Sequence, residues 1–157
     1  MKFNRFEEIE AWQLAREMCK LVKIFTDKEK FRQDWELRNQ IKSASGSAMD
    51  CIAEGHERGS NNEFIYFLGI AKGSCGEVRS QAYRALDWGY ITEEERSQLD
   101  NLAWRTGAAT QGLINYLNTN PTKGKGQRYV KSPKAKPQMP FHPDPNFPTE
   151  PPPTTPR

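Results

Sequence analysis

The chain has 157 residues, with 23 Lys and Arg against 20 Asp and Glu and 36% hydrophobic side chains, the size of one ordinary domain plus an appendage. With a mean hydropathy of −0.86, no stretch approaches the roughly 18 apolar residues that a membrane span needs. The acids Glu7, Glu8 and Glu10 stand where a secretory signal would have its apolar run, so the expectation is a cytoplasmic protein. Cys19, Cys51 and Cys75 are odd in number and have no Cys-x-x-Cys spacing. That argues against a disulfide framework or a zinc site and predicts three reduced, buried thiols.

All 11 prolines lie at Pro121 or later. Charge divides at the same place. Residues 1–120 carry 16 basic and 18 acidic side chains, net −2, and residues 121–157 carry 7 and 2, net +5. The chain therefore divides into a body, 1–120, and a basic, then Pro-rich flexible tail, 121–157. A long proline-free body keeps every backbone donor available and has no helix breaker of that kind, so it is expected to be helical.

Ile9, Trp12, Ala15, Met18, Val22 and Phe25 recur at steps of three and four, predicting a first helix over about 6–25. Thr26 and Glu29 have capping-box spacing, allowing the chain to restart there. Trp35, Ile41, Ala44, Ala48, Cys51 and Ile52 form a second stripe, with Gly55 as the expected stop. Ser60 and Glu63 open a third helix, whose core face holds Phe64, Phe67, Leu68, Ala71, Cys75, Val78, Ala82 and Ala85 and which ends near Gly89. Thr92 and Glu95 open a fourth, with Leu99, Leu102, Ala103, Thr106, Ala109, Leu113, Tyr116 and Leu117 along one face. Short connections favour neighbouring antiparallel helices. The expected fold is all-α, an antiparallel up-and-down four-helix bundle with a disordered Pro-rich C-terminal tail.

The third predicted helix carries a second stripe, Ile65, Gly69, Gly73, Gly76, Ser80 and Tyr83, without a charge and turned roughly 150° from the core face at about 100° per residue. Each interior glycine costs about 1 kcal/mol against alanine. Close approach of another backbone is the usual compensation, and on the outside of a bundle that backbone belongs to another subunit. A homo-oligomer is expected; glycines that serve bends or packing within one subunit are the alternative.

The run Cys51-Ile52-Ala53-Glu54-Gly55, then Arg58-Gly59-Ser60, Glu63-Phe64, Phe67-Leu68, Ile70-Ala71-Lys72-Gly73-Ser74, Glu77 and Gly89-Tyr90, resembles the four helix bundle protein family. That family includes proteins encoded in intervening sequences of bacterial 23S ribosomal RNA genes. A related branch is the accessory variability determinant of diversity-generating retroelements. The opening Phe6-Glu7-Glu8-Ile9-Glu10-Ala11-Trp12-Gln13-Leu14-Ala15-Arg16 is similar to the family's first helix, so the resemblance spans about residues 3–117. It implies a compact four-helix subunit, in several relatives a homopentamer shaped like a short barrel. In the retroelement branch it implies engagement of a reverse transcriptase and its RNA through basic surfaces. The family's Arg-Arg pair is represented here only by Lys42 and Ser43, and the basic residues that remain on the bundle, Arg38, Lys42, Arg58, Lys72, Arg79 and Arg84, are the candidates for such a surface; solvated ion pairs are the alternative role for them.

Catalysis finds poor material. His56-Glu57 lacks a second histidine, because Ser60 stands at the required position. Gly73-Ser74-Cys75-Gly76 has the wrong spacing and setting for a nucleophile elbow. Glu54, Glu57, Glu63 and Glu77 lack the Glu-x-x-His pairs of di-iron bundles, and neither phosphate-loop nor dinucleotide fingerprints occur. The expectation is no enzyme, no metal and no cofactor.

The tail carries Lys123, Lys125, Arg128, Lys131, Lys134 and Lys136 with no acid among them, spaced by Gly124 and Gly126 and accompanied by Tyr129. This composition suits binding to an RNA or DNA backbone by an unfolded arm. Beyond it, Pro137, Pro140 and Pro143, then Pro145, Pro148 and Pro151, recur every third residue, the repeat of a polyproline II helix and a candidate docking peptide or spacer. Two function classes follow. One is an oligomeric nucleic-acid-binding accessory protein, serving RNA, a reverse transcriptase of a diversity-generating retroelement, or both. The other is a protein-interaction or structural ring without a nucleic-acid role.

Overall fold

The computed structural model describes residues 3–119. A 3-10 turn, Phe6–Glu8, precedes α1 (Glu10–Thr26), α2 (Glu29–Gln33), α3 (Trp35–Glu57), α4 (Asn61–Asp87) and α5 (Glu93–Thr119). No strand occurs among the described residues. The four long helices form the expected bundle, each antiparallel to its neighbours. The Cys19 thiol of α1 donates to the Ser45 carbonyl of α3 at 3.1 Å, and His56 near the end of α3 lies 3.4 Å from the Phe3 carbonyl. Ser47 of α3 and Ser74 of α4 share a 2.9 Å hydroxyl contact. Between α4 and α5, Lys72 meets Gln111 and Arg79 meets Asp100. Lys28, just after α1, pairs with Glu95 in the first turn of α5, closing the ring of four.

Two apolar clusters fill the bundle. One joins Met18, Val22, Phe25, Phe31, Leu37, Ile41, Val78 and Leu99 near the α2 end. The other joins Ile9, Ile52, Phe64, Leu68, Leu113 and Leu117 at the opposite end. Leu37, Leu68 and Ile52 are fully buried, each contributing about 1.5–3 kcal/mol by leaving water. Thr106 and Thr110 are also sealed inside, their hydroxyls donating to the carbonyls of Leu102 and Thr106 one turn back. Such local bonds let polar side chains enter a core without orphaned donors.

One expected capping box forms in full and another only on its N-cap side, where the Glu63 carboxylate takes the Ser60 hydroxyl and not the Ser60 amide. The Ser60 hydroxyl accepts from the Glu63 amide at 3.3 Å. Thr92 accepts from the Glu95 amide at 3.3 Å, while the Glu95 carboxylate accepts from the Thr92 amide at 2.9 Å. The third does not form. Thr26 is the last residue of α1, fully buried, with its hydroxyl donating to the Lys23 carbonyl, and Lys28 takes the N-cap position of α2 without a side-chain cap bond.

Other expectations need correction. The first helix starts at Glu10 because Ile9 is extended, at φ −80° and ψ 118°. α3 runs through Gly55 to Glu57, and the left-handed residue is Gly59 at φ 76°. Trp35 is 68% exposed, not core, since it occupies the first position of α3 and Leu37 turns inward in its place. All three cysteines are free, yet only Cys75 is buried; Cys19 and Cys51 are half-buried. Burial pushes the Cys75 thiol up to about 11.

Candidate oligomer and nucleic-acid surfaces

The second stripe of α4 lies on the outside of the bundle. Gly69, Gly73, Gly76 and Ser80 are exposed. A Cβ built on any of the three glycines meets nothing within 4 Å. Gly55 is the opposite case: a Cβ there would stand 2.8 Å from Phe67 Cβ and 2.9 Å from Phe64 Cδ2. No packing contact of the described subunit therefore calls for small residues along the outer stripe.

The ends of the stripe are tied to the subunit. Ile65 is half-buried and packs on the apolar cluster away from the α2 end, so it serves the core in part. Tyr83 is 50% exposed, with the Arg96 guanidinium 4.6 Å above its ring. Sequence periodicity missed two neighbours, Tyr66 and Ile70, exposed by 67% and 38% on the side of the stripe toward α3. It also missed Trp104 of α5, 58% exposed, which lines a groove with Gly76, Lys72 and Arg79. Exposed large apolar side chains were the available signal, but only the packed bundle reveals which aromatic residues remain outside it.

The basic candidates do not gather into one patch. Arg38 and Lys42 sit one turn apart in the first half of α3. Arg38 donates from Nη1 to the Arg32 carbonyl at 2.9 Å, while its buried Nε has no hydrogen-bond partner among the described residues. Lys42, with Lys23 and Arg32, acts on Asp27, whose carboxyl is held below its usual value chiefly by the hydrogen bond from Lys23. Arg58 follows the other end of α3, about 24–30 Å along the helix axis from that pair at 1.5 Å per residue. It pairs with Glu54 at 2.6 Å and lies 5.2 Å from the centre of the Phe67 ring.

Lys72 donates to Gln111 Oε1 at 2.7 Å, and Arg79 pairs with Asp100 at 2.8 Å, both toward α5. Arg84 donates to Gln40 at 2.8 Å and stacks 4.9 Å from the Trp88 ring, toward α3. Lys123, Lys125, Arg128, Lys131, Lys134 and Lys136 lie outside the described residues. Among the described residues there is no group of three or more His, Cys, Asp and Glu placed to hold a metal ion. No described helix is long and apolar enough to cross a membrane.

The fold has a solved counterpart. A crystal structure of a Bacteroides thetaiotaomicron VPI-5482 protein of the S23 ribosomal protein family, itself of unknown function, superposes with a TM-score of 0.61 at 19% identity, covering 66% of this chain and 97% of that one. At that identity the likeness concerns the fold. No curated protein matches the sequence. The model of the 23S rRNA-intervening sequence protein family matches residues 7–112, which takes in all of α1 to α4 and most of α5, and the chain belongs to that family.

Proposed function

We propose that this chain is a non-enzymatic, homo-oligomeric accessory protein whose subunits meet through the outer face of α4 and whose basic C-terminal arms bind nucleic acid. The observation that carries the assembly is the open, uncharged glycine stripe. Three exposed glycines weaken α4 by roughly 3 kcal/mol relative to alanine, and nothing they touch within the subunit offsets that. A second backbone laid against them would.

The arm is favoured over the bundle for nucleic acid because several bundle cations already have acidic or amide partners, and the bundle is net −2. The segment 123–136 carries +6 over 14 residues. In a pentamer, the ring that the family resemblance suggests, five arms would present about thirty positive charges on one particle, so modest single contacts would add up and weaken steeply with salt. RNA is the first candidate and DNA the second. A reverse transcriptase of a diversity-generating retroelement is the protein partner suggested by the same resemblance, and a neighbouring reverse-transcriptase gene with a template repeat would support it.

Two experiments test the reading. Gly73→Leu is expected to break the assembly while leaving helicity largely intact; light scattering that finds wild-type monomer at micromolar concentration overturns the oligomer. Truncation after Asn120 is expected to keep the oligomer and remove most RNA binding in a salt-titrated assay. Full affinity in the truncated protein would move binding to Arg38, Lys42, Arg58 and Lys72. Absence of binding by either form would favour the interaction ring, to which the internal pairing of Arg58 and Arg79 already lends support.

A further inference from the structure

Between the start of α1 and the last turns of α5 runs a groove of about 450 Å³, lined by Phe3, Ile9, Ala11, Leu113 and Tyr116, with Glu8 and Glu10 among its walls. Its floor is apolar, and among the described residues no basic side chain lines it. Glu8 accepts a hydrogen bond from the Asn4 amide at 3.0 Å. Glu10 is exposed and has no ion-pair partner among the described residues. Gly112 leaves the α5 wall open, since a Cβ there would meet nothing within 4 Å.

We propose that this groove is a docking site for residues 123–136 of the same chain, with the lysines of that segment facing Glu8 and Glu10 and Tyr129-Val130 entering the apolar floor. Position and charge both point to that occupant. α5 ends at Thr119, one turn beyond Tyr116, and 38 residues follow. Gly112 lies about 10 Å back along the helix axis, whereas the ten residues to Tyr129 span up to about 33 Å when extended. Proline at 121 offers no backbone N–H to a helix ladder, and glycine at 124 and 126 widens the backbone angles open to a reversal. Six cations with no acid among them match a wall that holds two acids and, among the described residues, no cation. Docking and nucleic-acid binding would then compete for the same lysines, a consequence that rests on the arm reading above; the docking itself does not.

The test uses the full chain with p-benzoylphenylalanine in place of Tyr129, photolysed at low salt and mapped by mass spectrometry. Cross-links are expected in peptides holding residues 8–11 or 109–116 of the same polypeptide, with the yield falling several-fold in Glu8→Gln/Glu10→Gln. A control with the same charge change at the far end, Glu36→Gln/Glu94→Gln, should leave the yield unchanged. Cross-links scattered over the surface, confined to a second copy in a mixed isotope-labelled sample, or insensitive to Glu8 and Glu10 overturn the docking. A short single-stranded RNA should lower the yield in proportion to its occupancy. If RNA shows no binding while the groove cross-links persist, the nucleic-acid reading fails and the docking stands.

Discussion

Gly55 and Gly73 lie on adjacent helices and have opposite surroundings. At Gly55 the α3 backbone passes so close to Phe64 and Phe67 that a methyl group would overlap them, while at Gly73 a methyl group would project into open space. In a helix, glycine carries the same propensity cost in both places. At Gly55 the compensation is visible within the subunit: Phe64 is buried and Phe67 half-buried against α3. At Gly69, Gly73 and Gly76 no compensation lies within the subunit, and this contrast motivates the proposed assembly.

The largest effect is expected from filling the tight site. Gly55→Leu forces side-chain atoms into space held by Phe64 and Phe67, and overpacking of this kind costs about 3 kcal/mol. Urea denaturation at fixed protein concentration should show the midpoint falling accordingly. A midpoint equal to wild type would mean that α3 and α4 part easily there, and the contrast between the two glycine sites would disappear.

Filling the open site should act in two directions at once. The triple change Gly69→Ala, Gly73→Ala and Gly76→Ala adds up to roughly 3 kcal/mol of helix propensity to the separated subunit. It also holds any partner backbone away. Light scattering should report a lower mass even as the dissociated subunit unfolds at higher urea. An unchanged mass with the stability gain would show that the stripe faces solvent alone.

One side of this contrast, the open stripe, was legible in the sequence, together with most of the fold. The four long helices followed from steps of three and four, because a helix must turn one face to the core, and the outer stripe of α4 stood out as a second face without charge. The Ser60 and Thr92 N-caps were legible because capping is a local event. Gly55 was misread as a stop because its role depends on two aromatic rings nine and twelve residues ahead, which only the α3–α4 crossing brings beside it. Trp35 and Thr26 were misplaced because the short helix α2 shifts the boundaries around it: Thr26 ends α1 and Trp35 takes the first position of α3. The basic candidates were legible as residues but not as a site, since their distribution over different faces depends on the packing of the whole bundle.

The inward side of α4 offers a chemical check on how well it is sealed. Cys75 is 2% exposed, and burial raises its thiol to about 11 from an ordinary 9.0. Between those values the unfolded chain has released a proton that the folded chain still holds. Stability present below pH 9 is therefore lost as the pH rises toward 11, with a slope of up to about 1.4 kcal/mol per pH unit. In Cys75→Ala the loss between pH 8 and pH 10 should shrink by about 1 kcal/mol. Parallel urea titrations at the two pH values measure it; equal losses in the two proteins would mean that water reaches this face as it reaches the other.

Gly107 of α5 is intermediate between the two glycine sites and so gives the smallest effect. A Cβ placed there meets Cys75 Cβ at 3.8 Å, an ordinary van der Waals separation, neither the overlap of Gly55 nor the open space of Gly73. Gly107→Ala should gain about 1 kcal/mol or less, the propensity difference with a small contact added. The same methyl group lies against the Cys75 side chain, so the thiol should react more slowly with an aromatic disulfide reagent in the folded protein. A destabilised variant would mean that α4 and α5 pack more tightly than the 3.8 Å separation allows. A stabilised variant with faster thiol reaction would mean that the two helices had moved apart to admit the methyl group.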